Sequence, residues 1–246
     1  ESTSLTFVRN IEGFEWAETT SANYIDKLVY RKLRQLQFAP SRQTEDLEFL
    51  RRVHLDVTGQ LPSPEEIVLF VEDPDPRKRA ILIDSLLESE EHAAFWAQKW
   101  GDLLRVSKKQ IGHGSVFKFS RWLVNAVSSN LPYDKFAREI LTARGSSLVH
   151  PAANYYRAAG NTFDAMETSA QLFLGSRIQC AKCHNHPFER WTQDNYYGLA
   201  AFFNRVERKK TGKGEELIVY SRSDGEVSHP ATGKTMKPWA PKAGAM

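Results

Sequence analysis

The chain is predicted to be mainly α: a multi-helix domain of about nine helices, with a small β-hairpin and an irregular C-terminal tail. Three observations lead there. Apolar residues recur at three- and four-residue spacing through most of residues 21–204. Capping side chains such as Ser63, Ser89 and Thr192 precede several of these runs, and glycine or proline follows them. Only Leu217 to Tyr220, followed by the turn Ser223-Asp224-Gly225, has the β-prone composition of a hairpin strand.

Taken in order, residues 1–20 form a polar lead-in arm with scattered aromatics. Tyr24, Ile25, Leu28, Val29, Leu33 and Leu36 share a helical face that ends before Ala39-Pro40. A second helix begins near Thr44, with Leu47, Leu50, Val53, His54 and Val57 on one side, and stops at Gly59. Ser63-Pro64-Glu65-Glu66 combines an N-cap, a first-turn proline and a capping-box glutamate. Asp75-Pro76 and Ser89-Glu90-Glu91 open two further helices. The glycines between Gln110 and Gly114 predict a loop ahead of a helix carrying Phe117, Trp122, Leu123 and Val127, and residues 132–144 form another, closed by Gly145. Residues 145–161 read as a long irregular stretch. Helices then follow over 162–174 and from Thr192 to Phe203. Arg208, Lys209, Lys210 and Lys213 are read as a solvated basic loop, and Pro230, Pro238 and Pro241 as a linker. The segment after Arg205 is accordingly expected to add little to any site.

Composition narrows the function. Among 246 residues, 33 basic side chains against 30 acidic ones leave a net charge of +3 and no face-wide basic block before residue 205, which disfavours nucleic acid as partner. No apolar run reaches the length of a transmembrane span. The chain opens on Glu1 without a signal peptide and reads as a processed or excised piece. No period of 20–50 residues repeats.

The chemistry concentrates in Gln179-Cys180-Ala181-Lys182-Cys183-His184-Asn185-His186-Pro187-Phe188, which holds both cysteines and two of the seven histidines. A C-x-x-C-H run is the attachment signature of a c-type haem. Two thiols three residues apart on one helical turn reach the two vinyl groups of a porphyrin, and the next histidine is carried under the ring as the proximal ligand. One covalent haem c on Cys180, Cys183 and His184 is the reading favoured. A thioredoxin-like redox pair, a zinc site that adds His186, and a small-loop disulfide are the alternatives. Thioether attachment takes place outside the bacterial cytoplasm, so the haem reading implies a periplasmic or secreted protein.

Around the motif, Trp191, Tyr196 and Tyr197 are candidates to pack on the porphyrin. Tyr155, Tyr156 and Arg157, in the long irregular stretch, are candidates to wall the pocket and pair with a propionate. Met166 and His150 are the preferred far-side iron ligands, ahead of His113, His92 and His54. His186 is two residues from His184, too close in sequence to reach round the ring to the opposite face. No Ser-His-Asp order, phosphate-cradling glycine loop or paired carboxylates stand out, so no catalytic residue is named.

Phe173-Leu174-Gly175, Gln179 to Trp191 (QCAKCHNHPFERW) and Thr192 to Phe203 (TQDNYYGLAAFF) resemble a planctomycete-type family of uncharacterised domains from large secreted proteins. Leu50 to Glu66 and Leu131 to Leu141 resemble it too, extending the likeness over roughly residues 20–240. The resemblance implies a neighbouring domain beyond the tail and a setting of polysaccharide degradation. His54 departs from the family pattern. The combined expectation is a lead-in arm (1–20), a helical c-type haem domain (21–204), and a hairpin and linker to a following domain (205–246). Its function would be electron transfer to or from an attached or partner redox domain. The alternatives are a haem- or metal-dependent enzyme module in extracellular carbohydrate degradation, and a structural metal or interaction domain.

Overall fold

The computed structural model describes residues 10–17, 19–212 and 214–241. Among them are eleven α-helices, two 3-10 turns and five short strands, which is the mainly α fold predicted. The chain divides into two compact units, one ending at Phe49 and the other beginning at Leu50. In the first, α1 (Tyr24–Gln35) starts at a complete capping box: Asn23 accepts from the Ile25 and Asp26 N–H groups, and Asp26 accepts from Asn23 N–H. Trp16 meets Tyr30 edge-on, with ring centres 6.2 Å apart. Helix α2 (Asp46–Thr58) runs across the division.

The second unit continues with α3 (Pro64–Glu72), α4 (Lys78–Leu87) and α5 (Glu90–Leu103). The Ser63–Glu66 capping box forms as its spacing predicts. A short α6 (Lys108–Ile111) and a long α7 (His113–Ser128) then occupy the place of the expected Gln110–Gly114 loop, with Gly112 as the joint between them. Ala93, Ala97 and Gly101 line the buried face of α5 at four-residue intervals. Such small side chains let α7 lay Phe119, Leu123 and Ala126 close against it. Helix α8 (Tyr133–Leu141) adds Phe136, stacked on Trp122 at 5.4 Å and tilted against Trp100 at 4.9 Å.

Residues 145–161 are ordered rather than irregular. They form an edge strand β1 (Gly145–Ser146), a 3-10 turn (Pro151–Ala153) and a short α9 (Asn154–Ala158), with Ala152, Ala153, Asn154, Tyr155, Tyr156 and Ala158 buried. Local propensity is weak here, so the fold of this stretch comes from tertiary burial and from Asn154, whose amide donates to the Ser147 and Pro151 carbonyls. Helices α10 (Thr162–Phe173) and α11 (Gln193–Phe203) complete the helical set, capped by Asn161 and Thr192.

The basic stretch after Arg205 is also structured. Strand β2 (Val206–Lys210) pairs antiparallel with β3 (Leu217–Ser221), and β1 flanks β3 on its other side, giving the order β1-β3-β2. The loop reading fails because backbone pairing with β3, not side-chain composition, makes the strand: Val206, Glu207 and Arg208 are half-buried, while the side chains of Lys209 and Lys210 stay in water. A second small pair joins β4 (Val227–Ser228) to β5 (Thr235–Met236). In the β2–β3 loop, Glu215 accepts from the His113 and Gly114 N–H groups at 3.1 and 3.0 Å, supplying the start of α7 with an anionic cap. Gly112, at φ +78°, sits where an added Cβ would lie 2.4 Å from that carboxylate.

Those backbone donors hold the Glu215 carboxyl below its ordinary value, so its cap is complete above the usual carboxylate range and is lost as pH falls through the lowered value. Glu215→Gln is expected to melt lower than the parent at about pH 7, with the gap closing towards about pH 3. Thermal melts of both proteins across that range check it.

Candidate functional site

The cysteine motif lies on a 3-10 turn, Gln179–Lys182, with Cys183 as its last cap. At three residues per turn, side chains three apart eclipse one another. Ile178 and Ala181 therefore share one side, 3% and 0% exposed in the core, while Cys180 and Cys183 share the other and are both exposed, free thiols. His184 follows with its Nδ1 2.8 Å from the Asn185 carbonyl. A carbonyl only accepts, so Nδ1 carries a proton, and in the neutral ring Nε2 keeps its lone pair.

The turn is held by the elements around it. Gln193 Nε2 and the Tyr197 hydroxyl both donate to the Lys182 carbonyl at 3.0 Å, and Asn185 Oδ1 accepts from Gln193 N–H. From α10, Glu167 accepts from Gln179 Nε2 at 3.1 Å and from the Tyr196 hydroxyl at 2.5 Å. Burial and then the Glu167 carboxylate push the Tyr196 phenol strongly up, so it remains a donor. Tyr197 is pushed up as well, first by burial and then by Cys183. Lys182 Nζ stands over the Phe163 ring at 5.2 Å.

The structure gathers part of the predicted set. Trp191, Tyr196, Tyr197 and Met166 lie in the same buried cluster as Ala181, directly behind the motif. Tyr155, Tyr156 and Arg157 do not join them. The Tyr155 and Tyr156 hydroxyls donate to the Ala165 and Leu141 carbonyls inside the other cluster, and Arg157 donates to Ser115 and to the Glu215 carbonyl. His150 is exposed beside Gly145. Its alternatives are placed elsewhere: the His92 ring nitrogen Nδ1 lies 3.0 Å from the Val57 carbonyl, and His54 is buried with an unpartnered Nε2. His186 accepts from the Phe188 and Glu189 N–H groups at Nδ1, and its own N–H donates to the Trp191 carbonyl, so it knots the loop after the motif. Among the described residues no group of three or more His, Cys, Asp or Glu side chains is gathered to hold a metal ion, so the four-ligand zinc alternative is not assembled.

Several residues of the site escape sequence reasoning. Glu167, Gln179, Gln193 and Asn185 are ordinary polar residues whose roles follow from which helix faces which turn. The segment after Arg205 also contributes, contrary to expectation: Val227 and Met236 are buried in the motif's cluster and Trp239 packs on it, meeting Trp191 edge-on at 6.3 Å. His229, 5% exposed, has its ring 5.5 Å from Tyr197 and its Nε2 3.5 Å from Asp194. Proline content suggested a linker, but Met236 and Trp239, set among the prolines, and Val227 ahead of them reach the core.

Gly198 on α11 is where this tail closes on the helix. Trp239 N–H donates to the Gly198 carbonyl at 2.9 Å, and a Cβ on Gly198 would stand 2.8 Å from the Trp239 Cβ. Gly198→Ala, which in an open helix would stabilise, is expected instead to cost about 1–2 kcal/mol by displacing the tail, as read by denaturant unfolding.

No helix among the described residues is long and apolar enough to cross a membrane. No curated protein and no solved structure matches the chain. The PSCyt2 family, described as proteins of unknown function (DUF1549), matches residues 24–208, which take in α1, both halves of the motif's support on α10 and α11, and the motif itself. The chain belongs to this family of uncharacterised domains.

Proposed function

We propose that the domain binds one haem c covalently through Cys180 and Cys183, with His184 as axial ligand, and passes electrons to or from a partner or neighbouring redox domain outside the cytoplasm. The observation that carries the reading is the single 3-10 turn that presents both thiols outward on one side while Ala181 anchors its back in the core. When bound, the haem supplies a one-electron iron couple. The chain's own residues orient it. The Asn185 carbonyl engages His184 Nδ1, so Nε2 is the ring nitrogen that would be available to hold the iron. Gln193 and Tyr197 immobilise the Lys182 carbonyl, so the thiol-bearing turn is pre-formed. Phe188, 84% exposed, offers an apolar edge next to the motif. The exposure of Cys180, Cys183 and His184 favours electron exchange with another protein at the surface. The cytochrome element in the family's name accords with this reading.

The protein produced with a c-type maturation system should exceed the polypeptide mass by one haem and keep its Soret band after denaturation. A bare-chain mass under those conditions overturns the proposal. Cys180→Ala with Cys183→Ala should lose the covalent adduct while keeping the far-ultraviolet circular dichroism.

A second prediction concerns His186. Its Nδ1 is engaged by the loop's own backbone, so His186→Ala should loosen residues 186–191 yet leave the iron spin state unchanged in absorption and electron paramagnetic resonance. Conversion of a six-coordinate to a five-coordinate spectrum in the folded monomer would contradict this.

A further inference from the structure

A cleft of about 440 Å³ opens where the end of α8, helices α10 and α11, strands β2 and β3, and Ala240 with Pro241 come together. None of Cys180, Cys183 and His184 lines it, so it is separate from the motif. Its walls are apolar, built chiefly from Leu141, Phe173, Leu199, Phe203, Val206 and Val219. At its rim, Leu174 and Phe202 are 39% and 47% exposed, so the apolar surface continues to the mouth.

The polar groups of the wall decide what it can hold. The hydroxyls of Thr142, Tyr156 and Ser169 already donate to the Arg138, Leu141 and Ala165 carbonyls, at 2.7, 2.5 and 2.7 Å. Burial raises the Tyr156 phenol to about 12, so it stays neutral and keeps donating. No Asp or Glu lines the cleft, and the one charged lining residue is Arg144. That side chain is exposed and has no hydrogen bond or ion pair among the described residues, and its charge acts on Tyr156. Thr142, Tyr156 and Ser169 have no proton left to give, and of the lining side chains only Ser221 and Arg144 can still donate, so most of the N–H, carbonyl and hydroxyl groups of a peptide or a sugar entering this space would be buried unpaired, at a cost of about 1–3 kcal/mol each. An acyl chain meets no such cost, and an anionic head at the rim meets an uncommitted guanidinium.

We propose that this cleft binds an amphiphilic monocarboxylate, its acyl chain lying between α10, α11 and the β2–β3 hairpin and its carboxylate paired with Arg144. The site does not depend on haem attachment and is tested without it. Calorimetric titration with dodecanoate, below its critical micelle concentration, should give saturable binding of one ligand per chain. Dodecanol should bind about tenfold more weakly, and dodecyltrimethylammonium more weakly still. Arg144→Gln should weaken dodecanoate about tenfold with a nearly unchanged thermal melt, because the side chain it removes has no hydrogen bond or ion pair among the described residues to lose. Ser221→Trp, at an exposed lining position, should block dodecanoate and dodecanol alike. If Ser221→Trp does not fold, the head-group series on the parent protein decides. Absence of saturable dodecanoate binding, equal affinity for the carboxylate and the ammonium, or parent-like affinity in Arg144→Gln would each overturn the proposal.

Discussion

Helix α10 is the element on which both cores of the second unit close. It gives Ala165, Leu172 and Phe173 to one cluster, and Phe163, Met166 and Ala170 to the other. A helix buried on two sides needs short side chains where neighbours approach most closely, and Ala165 and Ser169, four residues apart, with Ala170 beside them, meet that need. The buried hydroxyls are spent on its own backbone: Tyr155 and Ser169 both donate to the Ala165 carbonyl at 2.7 Å. Replacing any of these small residues with a larger one would push apart the α5–α7 core and the α11 layer together.

The consequence for the motif is rigidity without burial. Its two thiols face water, yet the turn beneath them is anchored from α10 through Glu167, from α11 through Gln193 and Tyr197, and from below by Ala181. Groups positioned by a packed scaffold hold a ligand geometry with little ordering cost at the moment of binding. In the proposed haem-bound form this would let an exposed prosthetic group keep a fixed orientation towards a partner.

The hairpin of β2 and β3 links distant parts of the unit. Its loop supplies Glu215 to the first turn of α7, its strands form one wall of the apolar cleft, and β1 extends its sheet. Arg208 fastens it further, donating to the Tyr156 carbonyl at 2.6 Å. Loss of the Glu215 cap would therefore loosen one side of the cleft.

Helical spacing and capping pairs such as Ser63 with Glu66 are local signals, so the helices and most of their starts were legible in the sequence, as was the cysteine–histidine run with both thiols on one side. The sorting of aromatics was not. Tyr155 and Tyr156 lie in one cluster and Tyr196 and Tyr197 in the other, a division set by which helix packs on which, not by composition. The same holds for β2, whose lysines masked a strand, and for residues 227–239, whose prolines masked core contacts by Val227, Met236 and Trp239. By itself, then, the sequence determined the elements and the chemistry of the motif, because those depend on residues within a few positions of one another. Which side chains support the motif, and the existence of an apolar cleft with Arg144 at its mouth, were decided only by tertiary structure, because they depend on burial between segments far apart in the chain.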